Sequence, residues 1–184
     1  MNMATRDEDR LTRFLNDLEI PHRTHHHPPV HTVADARALR GDIPAQHCKC
    51  LFLRDKKKRR LLMLAPEDSP VDLVALADRL GLGRLSFASA DSLERVLGIK
   101  PGAVTPFGLL NAQYPPHGEP PFRVAMDRRL ADAAQVAFHP LHNAATTCLS
   151  PADLTRFMLA CGYQPLVVDL CGTGKDGTDT SPDP

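Results

Sequence analysis

Neither sign of charge prevails in this sequence. Lys plus Arg and Asp plus Glu number 22 each in 184 residues, so a global attraction to nucleic acid or to an anionic surface is excluded, and any such partner must be met by a local patch. No apolar run reaches the roughly 18 residues of a membrane-spanning helix, and the charged start Met-Asn-Met-Ala-Thr-Arg-Asp-Glu-Asp-Arg lacks the apolar core of a signal peptide. A cytoplasmic protein with no membrane partner is expected. Five cysteines, at 48, 50, 148, 161 and 171, are odd in number and irregular in spacing, which fits reduced thiols and not a disulfide framework. There is no internal repeat. No Gly-rich strand-to-helix turn of Rossmann or Walker type occurs; Gly172-Thr-Gly-Lys-Asp-Gly177 imitates one but precedes no helix. The histidines 25, 26, 27, 31 and 47 with Cys48 and Cys50 lack the paired spacing of a zinc site, and no Gly-x-Ser-x-Gly elbow or Cys triad signals a covalent nucleophile. Neither metal nor cofactor is expected.

What remains is enough for one domain with a real core. Leu11, Phe14, Leu15 and Leu18 recur at helical spacing and predict a first helix over 6–18, ended by Pro21. An extended stretch from Thr24 to Thr32 follows, and Thr32 can cap a short helix from Val33 to Leu39. Gln46 to Leu53 and Arg60 to Ala65 read as a β-hairpin with a strongly basic turn. Val71 to Leu80 predicts a helix, Arg84 to Ala88 a strand, and Ser89 or Asp91 to Leu97 a helix with Gly98 as its C-cap. Gly98 to Leu110, glycine- and proline-rich yet apolar, reads as a strand-turn-strand corner whose backbone can also wall a pocket. Phe122 to Met126 and Gln135 to His139 are strands on either side of a charged turn at Asp127 to Asp132. Ser150-Pro-Ala-Asp153 starts a last helix and Leu166 to Leu170 is a last strand. The expected domain covers 1–170, and 171–184 is too polar to fold and should be a disordered tail. The irregular alternation of strands and helices argues for a mixed α/β fold around a largely antiparallel, barrel-like sheet with helices outside.

Several side chains admit two readings. Lys49, inside the apolar strand Cys48-Lys-Cys-Leu-Phe-Leu53, either snorkels to the surface or brings a positive charge into a site. His139 is a general acid or base or a core histidine. Asn143, Thr146 and Thr147 either fix a small polar group or cap turns. Lys56, Lys57, Lys58 and Arg59 form the one dense basic run, a solvated hairpin tip or a phosphate contact.

Taken in order, five stretches resemble a known family: His27-Pro-Pro-Val-x-Thr32, Lys49-x-Leu-Phe-Leu53, Leu85-Ser-Phe-Ala88, Gly98-x-x-Pro-Gly-x-Val-Thr-Pro-Phe-Gly-Leu109 and Phe138-His-Pro-Leu-x-Asn-x-x-Thr-Thr147. The pattern is similar to the YbaK and prolyl-tRNA synthetase-associated editing domains, and within them to the free-standing alanyl-tRNA(Pro) deacylases. The resemblance runs from about residue 6 to residue 170. It implies hydrolysis of the ester joining alanine to proline tRNA, a correction needed because a synthetase pocket built for proline rejects the smaller alanine only weakly. It also implies tRNA(Pro) charged with alanine as partner, with prolyl-tRNA synthetase as a second and no DNA. The resemblance makes Lys49 the family lysine beside the terminal adenosine, Gly102 to Pro106 the Gly-x-x-x-Pro loop whose backbone meets the aminoacyl group, and His139 the pocket histidine. Cys50, Ala103, Val104, Thr105, Pro106, Phe107, Asn143 and Thr146 would border the substrate, and Lys56 to Arg59 would touch tRNA. One departure stands out: Cys50 occupies a position where the family often has asparagine. A deacylase for cysteinyl-tRNA(Pro) or another small residue, and a non-catalytic tRNA-binding module, are the alternatives.

Overall fold

The computed structural model describes residues 3–29, 43–112 and 120–170. Helix α1 (Met3–Asp17) leads into strand β1 (His22–His26). The predicted hairpin is present as β2 (Gln46–Arg54) and β3 (Arg60–Pro66), followed by α2 (Leu73–Arg79), the two-residue β4 (Ser86–Phe87) and α3 (Ala90–Leu97). A 3-10 helix (Pro106–Asn111), β5 (Arg123–Asp127), the single turn α4 (Arg128–Ala131), β6 (Val136–Phe138), β7 (Ala145–Leu149), α5 (Pro151–Ala160) and β8 (Pro165–Val168) complete it. The helix expected at Val33 to Leu39 and the tail from Cys171 lie outside the described residues. Among those described, no helix is long and apolar enough to cross a membrane.

The mixed α/β architecture is as expected, but the sheet is open. Its strands run β1-β7-β6-β2-β3-β5-β8, with β4 added to β2. β1 with β7, β7 with β6, β2 with β3 and β2 with β4 are antiparallel, whereas β2 with β6, β3 with β5 and β5 with β8 are parallel. Barrel-like is thus too closed a description, since β1 and β8 end the sheet and do not meet.

Apolar residues cover both faces. On β3, Leu61, Met63 and Ala65 belong to one core cluster and Leu62 and Leu64 to the other. This period of two, apolar in both phases, is what a strand covered on both sides requires. Leu76 and Ala77 of α2 close the first cluster. Leu11 and Leu15 of α1 and Leu154 and Phe157 of α5 close the second, where Phe14 meets Phe157 edge to face at 5.7 Å. Helix starts follow their caps: Asp72, Ser89 and Ser150 each accept backbone N–H groups of the first turn.

Two expectations are corrected. Gly98 to Leu110 contains no strand. Thr105 accepts the Phe107 N–H and Pro106 takes the first helical position, so the run turns into a 3-10 helix. Its apolar content reflects burial of Phe107 and Leu109 in the core, not pleating. Likewise the charged turn expected at Asp127 to Asp132 holds a turn of helix, and the strands on either side of it do not pair with each other. The Asp127 carboxylate accepts the Arg129 N–H and starts α4, and this turn sends β5 to lie parallel to β3 and β8 while β6 joins β7 and β2.

Packing and charge each generate a prediction. A Cβ at Gly108 would lie 2.3 Å from Cδ1 of Ile99, a residue only 2% exposed. Gly108→Ala should therefore destabilise by about 1–3 kcal/mol in urea unfolding, and Ile99→Val, which removes that methyl, should restore part of the loss. Burial of Asp127 raises its carboxyl pKa, but the hydrogen bonds and charge of Arg129 outweigh this and hold it below the ordinary value. A depressed folded-state pKa gives stabilisation that is present above the unfolded value, roughly 3.9, and is lost as pH falls through the folded one. Wild type should lose melting temperature on acidification below about pH 4 more steeply than Asp127→Asn, which should be the weaker protein at neutral pH.

Candidate functional site

Strand β2 has more edge than its neighbours fill. β3 pairs with it from Cys48 to Arg54, but on the opposite edge β6 pairs only with Gln46 and His47 and β4 only with Leu53 and Arg54. Among the described residues no strand pairs with Cys48 to Leu51 on that side. The direction of the backbone follows from its hydrogen bonds. Gln46 N–H donates to Gln135 C=O and Phe52 C=O accepts from Ala88 N–H, so even-numbered residues of β2 turn their backbone groups outward, away from β3. Cys50, between them, does the same. A cleft of about 210 Å³ lies along this gap. Cys50 and Phe52 line it from one face of the strand, Leu51 and Phe87 from the other, and Gly102 and Val104 from across the gap.

The loop that carries Gly102 is seated at both ends. Gly98 ends α3 in the left-handed region at φ +63°, its N–H donating to Glu94 C=O. Asn111 reaches back to the same point: its side-chain N–H donates to Leu97 C=O at 2.8 Å, and a Cβ on Gly98 would meet that nitrogen at 2.8 Å. At the other end Phe107 is wholly buried and packs edge to face on Phe138 and Phe157. Phe107, Thr105 and Pro106, expected at the substrate, are enclosed in protein and support the loop from behind. Ala103 and Val104 remain partly accessible. Gly102 is exposed at φ +90°, and the space where a Cβ would project is open for 4 Å.

Lys49 points elsewhere than the Cys50 side chain, because successive strand residues alternate. Its ammonium donates to the Ser69 carbonyl. Ser69 in turn accepts from Arg129 through its hydroxyl at 2.7 Å, and Arg129 is held by the buried carboxylate of Asp127. The register puts His139 and Thr146 on the Lys49 face, since His47 pairs with Ala137 and Phe138 with Thr147. His139 donates through Nδ1 to Ala145 C=O at 3.0 Å, which leaves Nε2 as the basic nitrogen of the neutral ring. His27 bonds Thr146 through Nε2 at 3.0 Å and its ring lies 6.4 Å from that of His139. Asn143 is half-buried in the turn that joins β6 to β7. The expected residues therefore form two groups, an apolar cleft with Cys50, Gly102 and Val104 and a polar face with Lys49, His139 and Thr146, separated by the open edge of β2.

Thiol chemistry has no place in either group. Cys50 opens onto the cleft, but burial, reinforced by Cys48, pushes its thiol well above the ordinary range; burial takes Cys48 up to about 12 and raises Cys148. Such thiols stay protonated near neutral pH and are poor nucleophiles. The basic turn divides. Lys56, Lys57 and Lys58 are exposed, whereas Arg59 is held by Asp55, whose fully buried carboxylate also accepts the Gly83 N–H. Among the described residues no group of three or more His, Cys, Asp or Glu side chains has an arrangement that could hold a metal ion.

Sequence reasoning missed the wall made by Phe87 and α3. Leu85-Ser-Phe-Ala88 was a visible motif, but nothing in it reveals which aromatic stays outside the core. It also missed Glu8, which accepts from His142 at 2.7 Å and from His26 at 2.8 Å, and Arg10, which bonds Asn111. Contacts 18, 101 and 134 residues apart leave no local pattern.

The family model of the aminoacyl-tRNA editing domain matches residues 27–157. The prolyl-tRNA editing protein ProX of Acetoanaerobium sticklandii is 37% identical over 157 residues, covering 85% of this chain and 93% of that one. Prolyl-tRNA synthetase associated domain-containing protein 1 of Danio rerio is 32% identical over 162 residues, covering 87% and 85%. A solved structure described as a candidate trans-editing enzyme for prolyl tRNA synthetase is alike in fold, with a TM-score of 0.65 at 21% identity over 89% of this chain and 96% of that one. The matched stretch holds β2, the Gly102 loop and the His139 turn, and with it the chain belongs to the aminoacyl-tRNA editing domain family.

Proposed function

We propose that the protein is a cytoplasmic editing deacylase that hydrolyses the ester of alanine misattached to proline tRNA. The observation that carries this reading is the small cleft at the open edge of β2, lined by Cys50, Gly102 and Val104, with the Cys50 thiol pushed up by burial. An ester is already activated, so a positioned water and fixed N–H donors suffice. In this reading the alanine methyl enters beside Val104 and Cys50, and the outward N–H of Cys50 faces the ester carbonyl. Water adds to that carbonyl, the bond to the ribose oxygen breaks, and the departing oxygen takes a proton to become the 3′-hydroxyl. The neighbouring 2′-hydroxyl helps to hold the water. Because the contact at position 50 is made by backbone, replacing the family's frequent asparagine by cysteine alters the lining and keeps the donor.

Lys49 acts on the other side of the edge. Its tether to the Ser69 carbonyl is a bond that a phosphate or the substrate carbonyl can replace, with Arg129 fixing the loop that receives it. His139 and Thr146 border the same face. The names of the relatives support proline tRNA as the nucleic acid and prolyl-tRNA synthetase as a working neighbour.

Deacylation of alanyl-, cysteinyl- and prolyl-tRNA(Pro) tests the reading directly. The alanyl ester should be cleaved and the prolyl ester spared, and Lys49→Ala should lower the rate on the order of a hundredfold. Cleavage of none would reject an enzyme, and preference for the cysteinyl ester would replace alanine. Charge reversal at Lys56 and Lys57 should weaken tRNA binding and flatten its dependence on salt; unchanged binding would make the hairpin tip a solvated surface only.

A further inference from the structure

We propose that Phe87 is the platform on which the terminal adenine of the tRNA stacks, at the mouth of the cleft; this rests on the deacylase reading above. Of the seven phenylalanines, six are buried or half-buried and Phe87 alone is exposed, at 64%. An aromatic ring left in water forfeits most of the stabilisation it could contribute. A single exposed apolar side chain is ordinary on a surface, so position has to decide.

Position is specific here. Phe87 is one of two residues in β4, paired with Leu53 across β2, and the next residue, Ala88, is fixed by its N–H on Phe52 C=O. The ring is thus held by ordered backbone at the point where the open edge of β2 begins, and it lines the cleft that contains Gly102 and Cys50. By register it shares its face with Leu51 and Lys49. A base resting on it lies beside the ester site and not within it.

The surroundings have the charge that a nucleic acid needs. Beside β4 a second hollow is lined by Arg54, Asp55, Lys56, Arg84, Leu85 and Ser86, the one carboxylate among them being buried and paired with Arg59. Its cations suit the phosphates that precede the last nucleotide, while the bare ring of Phe87 suits the unpaired base itself. Single-stranded ends are held in this way, by stacking on aromatics beside a positive track. Because β4 is already ordered, little freedom remains to be lost on binding.

The test is the affinity of proline tRNA with and without its 3′-terminal adenosine for wild type, Phe87→Ala and Phe87→Trp. Wild type should bind the intact tRNA about tenfold to a hundredfold more tightly than the shortened one. Phe87→Ala should bind both at the weaker affinity, and Phe87→Trp should restore the difference. Retention of the full difference by Phe87→Ala, or its absence in wild type, overturns the platform. Since Phe87 is exposed, the unfolding midpoint of Phe87→Ala should match wild type, so a lost difference is not a folding defect. Failure of wild type to cleave any ester would reject the deacylase reading separately, without touching this comparison.

Discussion

The site depends on an unequal division of one strand. β2 gives one edge to β3 along seven residues, but offers its other edge to two partners that reach only its ends. Between them the backbone groups of Cys50 point into a cleft instead of a ladder. An unpaired strand edge is ordinarily a hazard, inviting another strand to join. Here Gly102 and Val104, with Ala90 and Leu93 of α3, line the other side of the gap. The same unsatisfied groups that make an edge adhesive make it a fixed set of donors for chemistry.

The alternation of the strand then sorts roles by residue parity. Cys50 and Phe52 face the core cluster shared with α1, α5 and the 3-10 helix, whereas Lys49, Leu51 and Leu53 face the other side. An apolar wall and a cationic group thus reach the same edge from opposite faces, a few ångströms apart along the chain but separated by the sheet. This arrangement keeps the ammonium away from the apolar lining of the cleft. It also lets the lysine be oriented by polar groups of its own, in the sequence Ser69, Arg129 and Asp127.

Much of the fold was legible because its elements carry local signals. The β2–β3 hairpin declared itself by two apolar runs around a charged turn, and α3 and α5 by Ser89, Ser150 and Gly98. The apolar residues of Gly98 to Leu110 suggest strand in sequence, but the informative pair is Thr105-Pro106, the same cap-then-proline signal that Ser150-Pro151 gives. Pairing was less legible than elements. That β5 crosses to β3 and β8 depends on Asp127 and Arg129 forming a turn of helix, which reads in sequence only as a short charged turn. For the site, residue types were readable and sides were not. Lys49 and Cys50 are neighbours in sequence and face opposite ways in space, and Phe107 matched a substrate-facing motif while serving as the buried anchor of its loop.

Helix α1 holds both banks of the site from outside. Within one turn, Glu8 engages His142 beside the His139 strand end and Arg10 engages Asn111 beneath the Gly98 loop. Residues two apart on a helix rise by only about 3 Å and point to nearly opposite sides, so α1 lies between these two attachments and joins them through one rigid element. One helix thus couples two loops that lie 101 and 134 residues further along the chain.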